Sequence, residues 1–215
     1  MFEPRDPLCD LVPAPYYAVY RIRAGRVHSP DESVAKYIAF LRGLNIGGHR
    51  IKMTDLCAHF ESLGFARAES FIASGNIVFE TRSANPAAME RKIESHLRAS
   101  LGYDVATFIR SLPEVIAISK YKPFKDGVLK SARVLNVGFL PEPPGADAIA
   151  ALMKHRSAGD DFHLNGREVY WACKTGQSES AFFRVGFEKV FKCRVTVRNV
   201  NTVARLAGLH ALGGK

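Results

Sequence analysis

From Lys36 onward the sequence runs twice through one order of elements, and that order narrows the fold more than any other feature. Residues 36–44 are a continuous apolar run, predicted as a strand. Residues 54–63 place Leu56, Phe60 and Leu63 at helical spacing, with Thr54 as the N-cap and Gly64 as the stop. Strand-like runs return over 68–73 and 77–81, separated by the turn residues Ser74, Gly75 and Asn76. Residues 86–101 read as an amphipathic helix: Pro86 starts it, Met89, Ile93 and Leu97 line one face, and Gly102 ends it. A strand over 105–111 completes the series β-α-β-β-α-β.

The second half follows the same series. A short helix over 112–121 and a loop containing lysine and proline lead into a strand over 132–140 and a helix over 146–153. Strands over 161–164 and 168–173 flank Asn165-Gly166, a strong hairpin signal. A helix over 180–191, a strand over 194–198 and a closing helix over 200–209 follow. The expected fold class is α+β: two ferredoxin-like (βαββαβ) halves packed together, residues 35–112 and 113–215, with an extra C-terminal helix. A half of that size is marginal alone, which favours packing of the two. Residues 1–34 do not fit the series. Prolines at 4, 7, 13, 15 and 30 break any helix, so this arm reads either as poorly ordered or as an added edge hairpin.

Composition removes several function classes. No apolar run reaches the roughly 18 residues of a membrane helix, and the acids and prolines of the first 15 residues do not make a signal peptide, so a cytoplasmic protein is expected. The four cysteines form no CxxC pair and the seven histidines no HExxH pair, so neither a metal nor a cofactor is expected. The net charge of +9 is uneven: residues 1–34 carry −1, residues 35–112 carry +3 and residues 113–215 carry +7. That excess suits an anionic partner, either a small ligand or a nucleic acid.

The loop after the first strand, GLNIGGHR over residues 43–50, has the outer glycine spacing of a P-loop. His49-Arg50 stands where Lys-Ser/Thr is needed, which removes the phosphate-binding lysine and the Mg²⁺ ligand, so nucleotide hydrolysis of that type is excluded. What remains is flexible backbone beside Arg42, Arg50 and Lys52. A second cluster, Arg198-Asn199-Val200-Asn201-Thr202, joins a strand to a helix, where Asn199 or Asn201 caps the helix and Arg198 suits an oxyanion. The loop 174–180 is rich in hydroxyls, with Ser178 or Ser180 as a cap, and the absence of GxSxG excludes an α/β-hydrolase elbow. Residues 120–125, KYKPFK, interleave basic and aromatic side chains as a single-stranded nucleic-acid platform does, or simply link the halves.

The segments YIAFLRGLNIGGHRIKM, DLCAHFESLGF, FIASGNIVFET and TVRNVNTVARLAGL resemble the bacterial family known as domain of unknown function 1697, over residues 36–209. The resemblance implies two ferredoxin-like parts and no defined activity. Val200 departs from the family's aromatic between two asparagines, and Ser180-Ala181-Phe182 departs from its Ser-Lys-Leu.

The function expected is binding of a small phosphate- or carboxylate-bearing ligand between the halves. Arg42, Asn45, Gly47, Gly48 and Lys52 form one wall, Arg198, Asn199 and Asn201 the other, and Ser74 and Asn76 add hydrogen-bonding groups at a sheet end. Nucleic-acid binding through the basic C-terminal half is the alternative. A further alternative is an enzyme acting on a phosphorylated substrate, with Ser178, Ser180 or His49 taking part.

Overall fold

The computed structural model describes residues 34–45, 47–72 and 75–211. The N-terminal arm, Val34 apart, and Ser74 lie outside the described residues. The first sheet is built from β1 (Ala35–Arg42), β2 (Ala66–Ser70), β3 (Asn76–Thr81) and β4 (Ala106–Ser111), with α1 (Met53–Ser62) after β1 and α2 (Pro86–Leu101) after β3. Its strand order is β2-β3-β1-β4, with all neighbours antiparallel.

Two helices, α3 (Leu112–Lys120) and α4 (Asp126–Ser131), lead into β5 (Val134–Phe139), α5 (Ala146–Met153), β6 (Asp160–Asn165) and β7 (Glu168–Cys173). Then come α6 (Ala181–Val185), α7 (Phe187–Phe191), β8 (Thr196–Asn199) and α8 (Val200–Ala211). The second sheet is ordered β6-β7-β5-β8, again antiparallel throughout. Each half is thus a split βαβ unit with its first strand central, as the sequence order predicts.

Three expectations need correction. Thr54 does not cap α1: the helix starts one residue earlier, Lys52 occupies the N-cap position without a side-chain bond, and the Thr54 hydroxyl donates to Asp55 instead. The helix over 180–191 is broken in two at Gly186, whose φ of 72° and ψ of 153° no helix accommodates. The lysine- and proline-containing loop holds α4, six residues too few to show helical periodicity.

The continuous apolar run of β1 is explained by burial on both faces. Tyr37, Ala39 and Leu41 face Leu56 and Phe60 of α1 and Met89, Ile93 and Leu97 of α2. Ile38 and Phe40 face the other way, onto Val137 and Phe139 of β5, Tyr170 of β7, Val115 and Ile118 of α3, and Val203 and Leu206 of α8. Phe40 and Phe139 stack with ring centroids 4.1 Å apart, a contact worth about 0.5–1.5 kcal/mol beyond its buried area. A third cluster, with Trp171, Phe182 and Phe187, fills the far face of the second sheet. The order of layers is therefore helices, sheet, sheet with α3 and α8, helices.

The edge strand β4 is closed by side chains. Its outward N–H groups at Thr107, Ile109 and Ser111 donate to carboxylates of Glu94 (2.8 Å), Glu90 (2.7 Å) and Glu114 (2.7 Å). Anionic side chains on these donors leave no open ladder for another chain to extend.

The two helices on the first sheet are tied by His59 Nδ1 and His96 Nε2, 3.0 Å apart. Burial and the neighbouring His96 hold the His59 imidazole below its ordinary value of 6.5, with Asp55 opposing. Burial also lowers His210, against the pull of Glu69. As pH falls below about 6.5 the unfolded chain takes up these protons first, so stability present at higher pH declines. The urea midpoint is expected to drop between about pH 7 and pH 5. The drop should be smaller in His59→Asn; equal pH slopes for the two proteins would remove His59 from this account.

Candidate functional site

Four segments converge where β1 ends: the loop after Arg42, the turn before Asn76, the segment between α2 and β4, and the chain from α7 to β8. Arg198 on β8 ties the end of β1 to the turn before β3. Its Nε donates to Asn76 Oδ1 at 2.6 Å, Nη1 to Thr196 Oγ1 and the Val197 carbonyl, and Nη2 to the Leu41 carbonyl at 2.8 Å and the Gly75 carbonyl at 3.4 Å. Its charge also lies 6.0 Å from the ring centre of Phe40. Burial pushes the guanidinium down to about 10, which leaves it charged at neutral pH.

Of the residues predicted from the sequence, Arg198 and the fully buried Asn76 are therefore brought together, while Arg198 reaches the end of β1 only at the Leu41 carbonyl. Asn76 also donates to the Phe71 carbonyl. Gly75 has to be glycine here: its φ is 70°, and a Cβ would stand 2.7 Å from Leu44 Cδ1.

The remaining predicted residues are placed less centrally. Asn45 Oδ1 accepts from the Ile51 N–H at 3.3 Å and so closes its own loop. Gly47 and Gly48 adopt φ of 61° and 86° in exposed backbone, and Lys52 is exposed just ahead of α1. His49 stacks on Tyr103, whose hydroxyl donates to the Leu44 carbonyl. Asn199 caps α8 by accepting from the Asn201 N–H at 2.9 Å. Ser180 is buried: its hydroxyl donates to Asp160 Oδ1, which also receives Trp171 Nε1, and accepts from the Phe182 N–H. Tyr121 and Phe124 of the linker pack against His163.

Arg42 leaves this junction and lines a cleft of about 310 Å³ with Gly43, Asp104, Ala106, Glu188 and Arg194. Arg42 Nη2 meets Glu188 Oε2 at 2.5 Å across the two halves. Arg194 Nη2 lies 3.5 Å from Asp104 Oδ2, and Asp104 Oδ1 lies 3.5 Å from Arg98 Nε. Glu188 is itself held by the Val195 N–H at 3.1 Å. Two guanidinium groups and two carboxylates thus line one opening, and Arg98 adds a third cation beside Asp104. Among the described residues no group of three or more His, Cys, Asp or Glu side chains forms a metal site.

Residues 34–170 match the family described as protein of unknown function, DUF1697. The chain belongs to that family. Among solved structures, the conserved bacterial protein SP0830 from Streptococcus pneumoniae is similar at 20% identity with a TM-score of 0.66, covering 82% of this chain and 98% of that one. At that identity the likeness carries the fold alone. No curated protein matches the chain.

For this DUF1697 protein, sequence reasoning missed Asp104, Glu188 and Arg194, which are ordinary charged residues at element ends with no spacing signal. It also missed Arg110, for which a signal existed. Arg110 shares a β4 face with Phe108, so a charge stands on a face that the pattern marks as buried. Glu168 of β7 answers it at 2.7 Å. Among the described residues no helix is long and apolar enough to cross a membrane.

Proposed function

We propose that the protein binds a small phosphate- or carboxylate-bearing ligand in the cleft between its two halves, on the guanidinium groups of Arg42 and Arg194. The observation that supports this is the placement of two arginines, one from each half, around a single hollow. Both are held by weak partners. The Arg42 and Glu188 side chains are 46% and 39% exposed, and those of Arg194 and Asp104 are 56% and 50% exposed. Exposed ion pairs contribute about 0–1 kcal/mol each, whereas a bidentate arginine–phosphate contact is considerably stronger. A ligand anion can therefore displace the carboxylates, which meanwhile hold the arginines in position. Arg198, whose Nε donates to Asn76, acts as a positioning residue, since its Nη2 donates to the Leu41 carbonyl immediately before Arg42.

Isothermal titration with inorganic phosphate and pyrophosphate, at about 50 mM salt to limit screening, tests this reading. Saturable binding is expected, weakened about tenfold or more in Arg42→Ala and in Arg194→Ala. Absence of binding, or full binding by Arg194→Ala, would overturn it. Phosphate binding should also survive in Lys130→Ala, which lies outside the cleft.

A further inference from the structure

The cleft does not stop at Ala106. A second hollow of about 530 Å³ shares Ala106 and Arg194 with it and runs along the outer edge of β4. Glu90, Arg91 and Glu94 of α2 form one wall, and Pro141 and Glu142 from the second half form the other. Its chemistry differs from that of the cleft.

Glu94 and Glu90 each spend Oε1 on a backbone N–H of β4, at 2.8 and 2.7 Å, and neither Oε2 has a hydrogen-bond partner among the described residues. Thr107, 3% exposed, also lines the hollow. Alternation along β4 puts its side chain on the α2 side, with Val105 and Ile109. Its Oγ1 is the one buried side-chain polar atom among the described residues that lacks a partner. A buried hydroxyl without a partner is costly, and a ligand group that meets it recovers that cost on binding.

Carboxylates from three residues repel a second anionic group, and Arg91 and Arg194 oppose an ammonium. A neutral group that both donates and accepts fits both sets, and a hydroxyl does so. We propose that the trough formed by the two hollows takes a sugar phosphate. The phosphate lies on Arg42 and Arg194. The sugar hydroxyls donate to Glu90, Glu94 and Glu142, and one pairs with Thr107 Oγ1. This inference rests on the anion-binding reading of the cleft.

A site built to bond hydroxyls discriminates against ligands that lack them. In isothermal titration, ribose 5-phosphate is therefore expected to bind about tenfold or more tightly than inorganic phosphate. Thr107→Val keeps the side-chain volume and removes the hydroxyl, and Glu142→Ala removes one exposed acceptor. Each should erase most of the sugar's advantage and leave the affinity for inorganic phosphate unchanged. Equal affinity for the two ligands, or an advantage intact in both variants, would overturn the sugar-phosphate inference while the anion-binding reading stands. Failure of phosphate and sugar phosphate alike would overturn both.

Discussion

Arg110→Met is expected to lower stability by about 3–5 kcal/mol, read as a shift in the urea midpoint at constant slope. Arg110 is fully buried on the face of the first sheet that meets the second half. Its Nε donates to Glu168 Oε1 at 2.7 Å, Nη1 to the Ile109 carbonyl at 2.9 Å and Nη2 to the Leu140 carbonyl at 2.9 Å, while the guanidinium lies over Phe139. Burial pushes the guanidinium below its ordinary value, and Glu168 works against that push.

Removing the arginine leaves the Glu168 carboxylate buried without its counter-charge, and the Leu140 carbonyl without a donor. That uncompensated charge, more than the lost contact, sets the size of the effect. The double variant Arg110→Met with Glu168→Leu is accordingly expected to recover most of the loss, because both charges are then gone. A cost below about 1 kcal/mol for Arg110→Met, or no recovery in the double variant, would contradict this account.

Arg198→Ala is expected to cost about 2–4 kcal/mol, since one guanidinium serves acceptors on β1, β3, the turn before β3 and β8. Arg198→Lys should not rescue it. An ammonium is a point charge with three donors, whereas these acceptors are spread around a planar fork. Because the Leu41 carbonyl precedes Arg42, the same variants should also weaken phosphate binding. Stability equal to wild type in Arg198→Lys would show that charge alone matters at this position.

Much of the fold was legible because its signals are local. Pro86, the apolar positions Met89, Ile93 and Leu97, and Gly102 in the left-handed region bound α2 without reference to the rest of the chain. Gly166, with φ of 60°, marks the β6–β7 hairpin in the same way. The misreadings have local causes too. The helix over 180–191 reads as one because apolar spacing continues through Gly186, although Gly186 has a positive φ and the flanking Phe182 and Phe187 both pack against Trp171. Thr54 looked like a cap because its residue type is right, while the helix start depends on how Lys52 leaves the loop.

The candidate site was less legible. Arg42 was recognisable as a cation beside flexible backbone, yet its neighbours Glu188 and Arg194 come from the other half of the chain, about 150 residues away. Arg198 was recognisable as unexplained by capping, and its partners Asn76 and Leu41 lie 122 and 157 residues away.

The repeated β-α-β-β-α-β order and the type of most of its helices and strands were determined by the sequence alone, because periodicity and turn chemistry act over a few residues. Only the tertiary structure decided that Arg198 meets Asn76, that Arg110 meets Glu168 and that Arg42 and Arg194 share an opening. A charge carries no mark in the sequence of which distant group will answer it. That is fixed only when the two sheets stack and the cost of burying a charge selects its partner.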